Sequence, residues 1–116
     1  MEGVAFAIRD CLEVAKQNGV SPSSTNLCGG GARNALWRQI MADVLNIPVH
    51  VLQTEQGPSY GAAILAMVGC GEYVSVEEAT KRLVKTSQVV VPQTPQEYQS
   101  KYEKFTKLYP LLKQLY

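Results

Sequence analysis

The stretch Cys28-Gly29-Gly30-Gly31-Ala32-Arg33-Asn34 lies between a predicted strand and a predicted helix. Three consecutive glycines remove every side chain at the point where the backbone turns. They also permit positive φ angles and let a ligand approach the main chain closely. We expect the free N–H groups and the positive dipole end of the following helix to face that space, which favours a phosphate or the sugar beside it. A tight turn that binds nothing explains the pattern equally well.

The segments around the glycines alternate between helix and strand. Residues 2–18 read as an amphipathic helix, and residues 25–28 and 49–52 as strands. A strand, a crossover helix and a second strand favour a parallel pair and an α/β fold. The helix after the glycines is expected to begin at an Asn34 cap and to end at Asn46. The apolar faces predicted for these two helices are Val4, Ile8, Cys11, Leu12 and Ala15 for the first, and Leu36, Trp37, Ile40, Met41, Val44 and Leu45 for the second.

The second half of the chain carries further helix signals. Residues 58–69 form a predicted helix whose run Gly61-Ala62-Ala63 is expected to let it lie close against the sheet. The pairs Ser75 with Glu78 and Thr94 with Glu97 have the spacing of capping boxes, so each predicts a helix start. The run Val89-Val90-Val91 between these two helices is predicted to be extended. Tyr98, Tyr102 and Phe105 look like the core stripe of the last helix.

Composition excludes several classes of function. The 116 residues allow one domain at most, and a formal net charge of +1 argues against a nucleic-acid partner. The longest apolar stretch, residues 62–70, is about half the span of a membrane helix, so no membrane segment is predicted. Three scattered cysteines and a single histidine have neither disulfide nor metal spacing. Buried, reduced thiols in a cytoplasmic protein are the expectation.

Known phosphate-binding motifs fit the glycines only in part. The Walker pattern is absent, because no lysine follows the turn. The dinucleotide fingerprint is matched by Gly29 and Gly31, but Asn34 occupies its last glycine position. Glu55, after the second strand, could imitate the acidic residue that binds a ribose hydroxyl in that fold. A dinucleotide-binding fragment of an oxidoreductase therefore stays open as an alternative function.

Four segments in order resemble the FGGY carbohydrate kinases, and among these the xylulokinases most. The glycine run with Leu36-Trp37-Arg38-Gln39-Ile40-Met41-Ala42-Asp43-Val44-Leu45 resembles their adenosine motif. Glu2-Gly3-Val4-Ala5-Phe6 resembles the helix before that motif. Ile47-Pro48-Val49 and Tyr60-Gly61-Ala62-Ala63-Ile64-Leu65-Ala66 resemble the strand and helix after it. The resemblance covers residues 2 to about 71, and residues 72–116 match the family's C-terminal tail only loosely.

The resemblance implies part of an actin-like ATPase (ribonuclease H-like) half-domain, with short parallel strands, flanking helices and a C-terminal helical tail. The whole chain, 1–116, would be the C-terminal part of the nucleotide-binding domain, with a core at 1–71 and the tail at 72–116. The cofactor implied is ATP with Mg²⁺. Gly30 and Gly31 would lie on its sugar-phosphate side, and Asn34 would bind adenine or simply cap its helix. Trp37 is expected to pack in the core, and Arg33 either reaches a phosphate or is a plain surface residue.

The groups that perform phosphoryl transfer are not predicted in this chain. A base for the sugar hydroxyl, a magnesium site and ligands of the γ-phosphate are all needed, and no catalytic or metal-binding residue is assigned here. The resemblance places them, with the pocket for a sugar such as D-xylulose, in an earlier part of the protein. The uncapped start at Met1 looks like a cut, so we expect an inactive piece with an exposed sheet and a tendency to form homo-oligomers. A non-enzymatic helical module, docking through residues 94–116, is the second alternative.

Overall fold

The alternation of helices and strands predicted from the sequence is present in the computed structural model, which describes residues 1–54 and 57–115. The helices are α1 (Glu2–Gln17), α2 (Ala35–Leu45), α3 (Gly57–Gly69), α4 (Val76–Leu83) and α5 (Pro95–Lys113). The strands are β1 (Thr25–Leu27), β2 (Val49–Leu52) and β3 (Thr86–Val90), and a 3₁₀ turn spans Gly30–Arg33. The α/β class is confirmed.

The three strands form one sheet in the order β1-β2-β3. β1 and β2 run parallel, with Thr25 opposite Val49, as the strand–helix–strand pattern predicts. β3 is antiparallel to β2 and places Val90 opposite Val49. The segment expected only to be extended is thus a third strand, and the C-terminal tail contributes to the sheet as well as to the helices.

The hydrophobic core lies on the inner face of α2, where Ile40, Met41, Val44 and Leu45 are buried. Phe6 of α1 meets three rings of α5 at centroid distances of 6.4, 6.0 and 5.5 Å, namely Tyr98, Tyr102 and Phe105. The aromatic stripe of α5 is therefore core, as predicted. This packing argues against the alternative in which residues 94–116 dock on a separate partner.

Two predicted apolar faces are wrong in part. Val4, Ile8 and Cys11 of α1 lie on its exposed side, because the stripe that packs against α2 and α5 runs through Ala5 and Phe6. Leu36, at the start of α2, is 62% exposed. Helical periodicity finds apolar stripes, but the partner decides which of two stripes is covered.

The cysteines also differ from expectation, since Cys11, Cys28 and Cys70 are all exposed. Cys11 stands on an outer face of α1, and Cys28 and Cys70 lie in connecting segments, so their apolar character did not predict burial. No helix among the described residues is both long and apolar enough to cross a membrane.

α3 packs mainly against α4 and not closely against the sheet, which corrects the role predicted for its small residues. Ile64 is its one buried residue, whereas Ala62, Ala63, Leu65 and Ala66 are exposed. A Cβ atom built on Gly61 would have no neighbour within 4 Å. The run Gly61-Ala62-Ala63 thus leaves an uncharged, exposed face on this helix.

Of the two predicted capping boxes, only the first forms. The Ser75 hydroxyl accepts a hydrogen bond from the Glu78 backbone N–H at 3.2 Å, and the Glu78 carboxylate accepts one from the Val74 backbone N–H. Thr94 makes no side-chain cap of α5. The carboxylate of Asp43, 3% exposed, instead accepts hydrogen bonds from the Gln93 and Thr94 N–H groups.

Candidate functional site

The glycine turn, residues 29–31, begins at a backbone conformation that only glycine adopts readily. Gly29 has φ of 88° and ψ of 174°, a region closed to side chains with a Cβ atom. The chain then enters the 3₁₀ turn, in which the Ala32 N–H bonds to the Gly29 carbonyl at 3.0 Å. The backbone conformation of the fold therefore requires glycine at position 29, whether or not a ligand binds.

The glycine turn does not lead straight into α2, which corrects the expected geometry. Ala32, Arg33 and an extended Asn34 (φ −87°, ψ 118°) separate the glycines from the first residue of the helix, Ala35. The dipole of α2 therefore starts one short turn away. What the site offers a ligand is the N–H groups of Gly30 and Gly31, which have no carbonyl partner inside the turn that they begin.

Gly30 and Gly31 differ in what lies in front of them. A Cβ atom on Gly30 would meet no atom within 4 Å, so its outer side is open. A Cβ atom on Gly31 would lie 2.9 Å from Nε1 and 3.0 Å from Cδ1 of Trp37. Gly31 is therefore glycine because the indole ring packs against it, and Trp37 is half-buried against the core as predicted.

Asn34 caps α2. Its Oδ1 accepts a hydrogen bond from the Trp37 backbone N–H at 3.1 Å, which confirms the structural alternative for this residue. The side chain remains exposed, and its Nδ2 group is the donor that could reach a ligand. Capping fixes the amide in one orientation beside the glycine turn, so one residue can serve both purposes.

Arg38 is the residue at this site that the sequence analysis missed. From the first turns of α2 its Nε donates to the Ala32 carbonyl at 2.5 Å, and Nη2 donates to the Arg33 carbonyl at 3.0 Å. Nη1 donates to the Gln88 side chain on β3 at 2.6 Å. An arginine one turn into the helix that follows three glycines was the only sequence signal, and it looked like any surface cation.

Three other residues were candidates in the sequence. Arg33 is exposed and is the last residue of the 3₁₀ turn that begins at Gly30. Glu55, on which the dinucleotide alternative partly rests, lies outside the described residues. His50 is half-buried, and its Nδ1 is 3.5 Å from the Thr86 hydroxyl, a contact between neighbouring strands.

Among the described residues, the largest pKa shift belongs to Tyr102, whose ring packs between α1 and α5. Burial and a 2.5 Å hydrogen bond to Asp10 raise the pKa of Tyr102 to about 12. The Arg9 guanidinium covers the same ring at 4.1 Å from its centroid. Over residues 1–54 and 57–115, no three His, Cys, Asp or Glu side chains are grouped as a metal ion would need.

Comparison with known proteins identifies the family. Residues 1–70 match the model of the C-terminal domain of the FGGY family of carbohydrate kinases. The xylulose kinase of Bacillus subtilis (strain 168) is 34% identical over 117 residues, which cover 99% of this chain. The autoinducer-2 kinase of Yersinia pestis is 39% identical over 82 residues, or 71% of the chain and 16% of that kinase. Family members that are named for different phosphate acceptors thus share this segment.

The fold comparison agrees with the sequence comparison. The crystal structure of xylulose kinase from Rhodospirillum rubrum superposes with a TM-score of 0.81 at 34% identity, over 98% of this chain. The chain spans 24% of that protein and 23% of the Bacillus subtilis kinase. Three findings agree on the family. The family model matches residues 1–70, relatives match nearly the whole chain, and the structural neighbours have the actin-like ATPase fold. The chain therefore belongs to the FGGY family of carbohydrate kinases, through their C-terminal domain.

Proposed function

We propose that this chain supplies the adenosine-binding part of the ATP site in a cytoplasmic sugar kinase. The observation that carries the proposal is the open backbone at Gly30, inside the segment that matches the FGGY C-terminal domain. An exposed turn with free N–H groups and no side chain on its outer side suits a ribose or phosphate that must approach the main chain.

Each residue at the turn has a proposed role. The Gly30 and Gly31 N–H groups bind the sugar-phosphate side of the nucleotide, and the Asn34 Nδ2 group donates to adenine. Arg33, two residues beyond Gly31, adds positive charge near the phosphates. Trp37 supports Gly31 from behind and does not stack on the base, because its ring is already packed against that glycine.

The reacting end of ATP is assigned to polypeptide outside these 116 residues. The base for the sugar hydroxyl, the sugar pocket and the Mg²⁺ ligands would lie in a segment corresponding to the other three quarters of the relatives. Mg²⁺ held there would supply positive charge against the transferred phosphoryl group. Residues 1–71 form the proposed core of this part of the domain, and residues 72–116 complete it through β3 and α5.

The nucleotide site is tested on the 116-residue chain by nuclear magnetic resonance with ¹⁵N labelling. ATP should shift the amide signals of residues 29–34 and leave those of α4 unchanged. NADH is the comparison ligand, because the alternative function is a dinucleotide-binding fragment. Stronger shifts with NADH than with ATP at the same amides would replace the kinase proposal by that alternative.

The acceptor is proposed to be D-xylulose, since relatives named xylulose kinase match nearly the whole chain. A chimera tests whether this chain can complete a xylulose kinase: the matching segment of the Bacillus subtilis kinase is replaced by residues 1–116, and the rest of that kinase supplies the sugar pocket. A second chimera carrying the segment of the Staphylococcus epidermidis xylulose kinase, which is 32% identical to this chain, controls for the foreign interface. ATP-dependent phosphorylation of D-xylulose by both supports a place for this chain in a xylulose kinase, and activity in the control alone contradicts it.

A further inference from the structure

Arg38 binds the backbone of the glycine-containing segment through two hydrogen bonds. Its Nε and Nη2 groups donate to two successive carbonyls, Ala32 and Arg33, at 2.5 and 3.0 Å. These carbonyls belong to the second half of the 3₁₀ turn that begins at Gly30. The planar guanidinium therefore fixes peptides 32–33 and 33–34, which lie one peptide beyond the two glycine amides.

The same guanidinium ties the turn to the sheet. Its Nη1 donates to Gln88 Oε1 at 2.6 Å, and Gln88 belongs to β3, which pairs with β2. Arg38 itself is half-buried on α2, whose inner face is the core. Three rigid elements therefore meet at one side chain, whereas the glycines have no side chains of their own to hold the turn in place.

We infer that Arg38 is a positioning residue for the nucleotide site. It holds the 3₁₀ turn in the shape that presents the Gly30 and Gly31 N–H groups outwards, so that binding does not have to order them. This inference rests on the proposed nucleotide site. Arg38 directs its donors to protein oxygens and acts on the ligand only through the backbone, so it is not a phosphate ligand. Preorganisation of this kind raises affinity by removing the entropy cost of ordering a loop.

Lysine cannot replace arginine in this role. A lysine ammonium is a point charge on a flexible stem and lacks the flat fork that reaches two carbonyls and an amide together. If charge near the phosphates were the purpose, Arg38→Lys would keep most of the affinity. If geometry is the purpose, Arg38→Lys should behave more like Arg38→Gln.

The experiment measures ATP affinity and turn order in the 116-residue chain, using ¹⁵N-detected titration and amide hydrogen exchange. We expect Arg38→Gln to weaken ATP binding about tenfold and Arg38→Lys by nearly as much. The amides of Ala32 and Asn34, which are hydrogen-bonded to the Gly29 and Gly31 carbonyls, should exchange faster without nucleotide, while those of β1 and β2 keep their rates. Arg82→Gln is the matched control, because Arg82 lies exposed on α4 in an ion pair with Glu78 and should change neither readout.

A second variant keeps the test decisive if Arg38→Gln does not fold. Gln88→Ala leaves the guanidinium in place and removes one of its three partners, so a smaller loss of about twofold to threefold is expected. Unchanged affinity in a folded Arg38→Gln variant, or faster exchange throughout the sheet, would overturn the inference and leave the nucleotide site standing. Absence of any ATP-induced shift in the unaltered chain would overturn both.

Discussion

The buried carboxylate of Asp43, on α2, accepts a hydrogen bond at 3.0 Å from the backbone N–H of Thr94, the residue that precedes α5. The neighbouring N–H of Gln93 donates to the same oxygen, and the Gln39 side chain donates to both carboxylate oxygens at 3.2 Å. A residue from one helix therefore caps another, 51 positions later in the chain. This contact fixes the start of α5, and with it the aromatic residues that cover Phe6.

Asp43→Asn is expected to destabilise the chain although it changes little volume. The substitution removes the charge that strengthens these hydrogen bonds and turns an amide donor towards other donors, for a loss of about 2 kcal/mol in the free energy of unfolding. Thr94→Ala is the control, with a change of no more than about 0.5 kcal/mol, because its hydroxyl makes no cap. Urea unfolding followed by circular dichroism measures both. Equal losses in the two variants would mean that Thr94 caps the helix after all.

Gly30→Ala separates binding from folding. The added methyl group meets no atom within 4 Å, and the backbone there does not need a positive φ angle. The free energy of unfolding should therefore stay within about 0.5 kcal/mol of the unaltered chain. If the nucleotide approaches this backbone as proposed, the methyl group blocks it and the ATP-induced amide shifts disappear. Retained ATP binding in this variant would show that the nucleotide does not lie against Gly30.

Gly31→Ala, in contrast to Gly30→Ala, is expected to destabilise the fold. Its methyl group would stand 2.9 Å from the Trp37 Nε1 atom, so the indole ring must move out of its packed position. Overpacking of this kind costs about 1–3 kcal/mol in stability. Trp37→Leu should remove the clash, so the double variant should lose less than the sum of the two single losses. Strict additivity, measured by urea unfolding, would show that the ring and the glycine do not compete for space.

Tyr102 makes stability depend on alkaline pH. Its pKa is raised to about 12 in the folded chain, from an ordinary value of 10.0, by burial and by the hydrogen bond to Asp10. The folded state then holds the phenolic proton more tightly than the unfolded state, so this contribution is complete below about pH 10 and is lost as pH rises towards 12. Unfolding measured at pH 9, 10 and 11 should show a steeper decline for the unaltered chain than for Tyr102→Phe. Parallel curves would show that Tyr102 does not cause the decline in stability at alkaline pH.

Self-association is expected from surfaces that this chain leaves uncovered. In the described part of the sheet β1 pairs on one edge only, and the uncharged helix α3 exposes Leu65 at 62%. Open strand edges and apolar faces both favour contact with another copy. Sedimentation velocity should show association that rises with concentration and falls in Leu65→Lys. Gln17→Lys adds the same charge at an exposed site on α1 and serves as the control. A sharp monomeric melting transition at high concentration would count against this prediction.

Local chemistry made much of the fold predictable. Asn34 caps α2 and Asn46 ends it in a left-handed conformation, as the short polar side chains suggest. The parallel β1–β2 pair follows from the need for a helical crossover. These features depend on neighbours within a few residues, where side-chain chemistry and backbone preference act together.

The features that the sequence did not predict depend on distant partners. The Thr94 capping box has the right spacing. The tertiary fold nevertheless brings the Asp43 carboxylate next to the Thr94 N–H group, which donates to it. Val4 and Ile8 repeat at helical spacing just as core residues do, but the opposite stripe of α1 meets α5. At the candidate site the glycines and Asn34 stood out locally, whereas Arg38 became visible only when its three acceptors were brought together from two elements.

The indole of Trp37 lies against the Cα atom of Gly31, and Trp37 is the only tryptophan among the 116 residues. The chain thus carries an intrinsic fluorophore directly behind the backbone that is proposed to hold the nucleotide. Any movement of the 3₁₀ turn changes the polarity and quenching around that ring, while α3 and α4 contribute no indole signal. Emission spectra therefore follow this one turn in solution without a label, in every variant that keeps the ring.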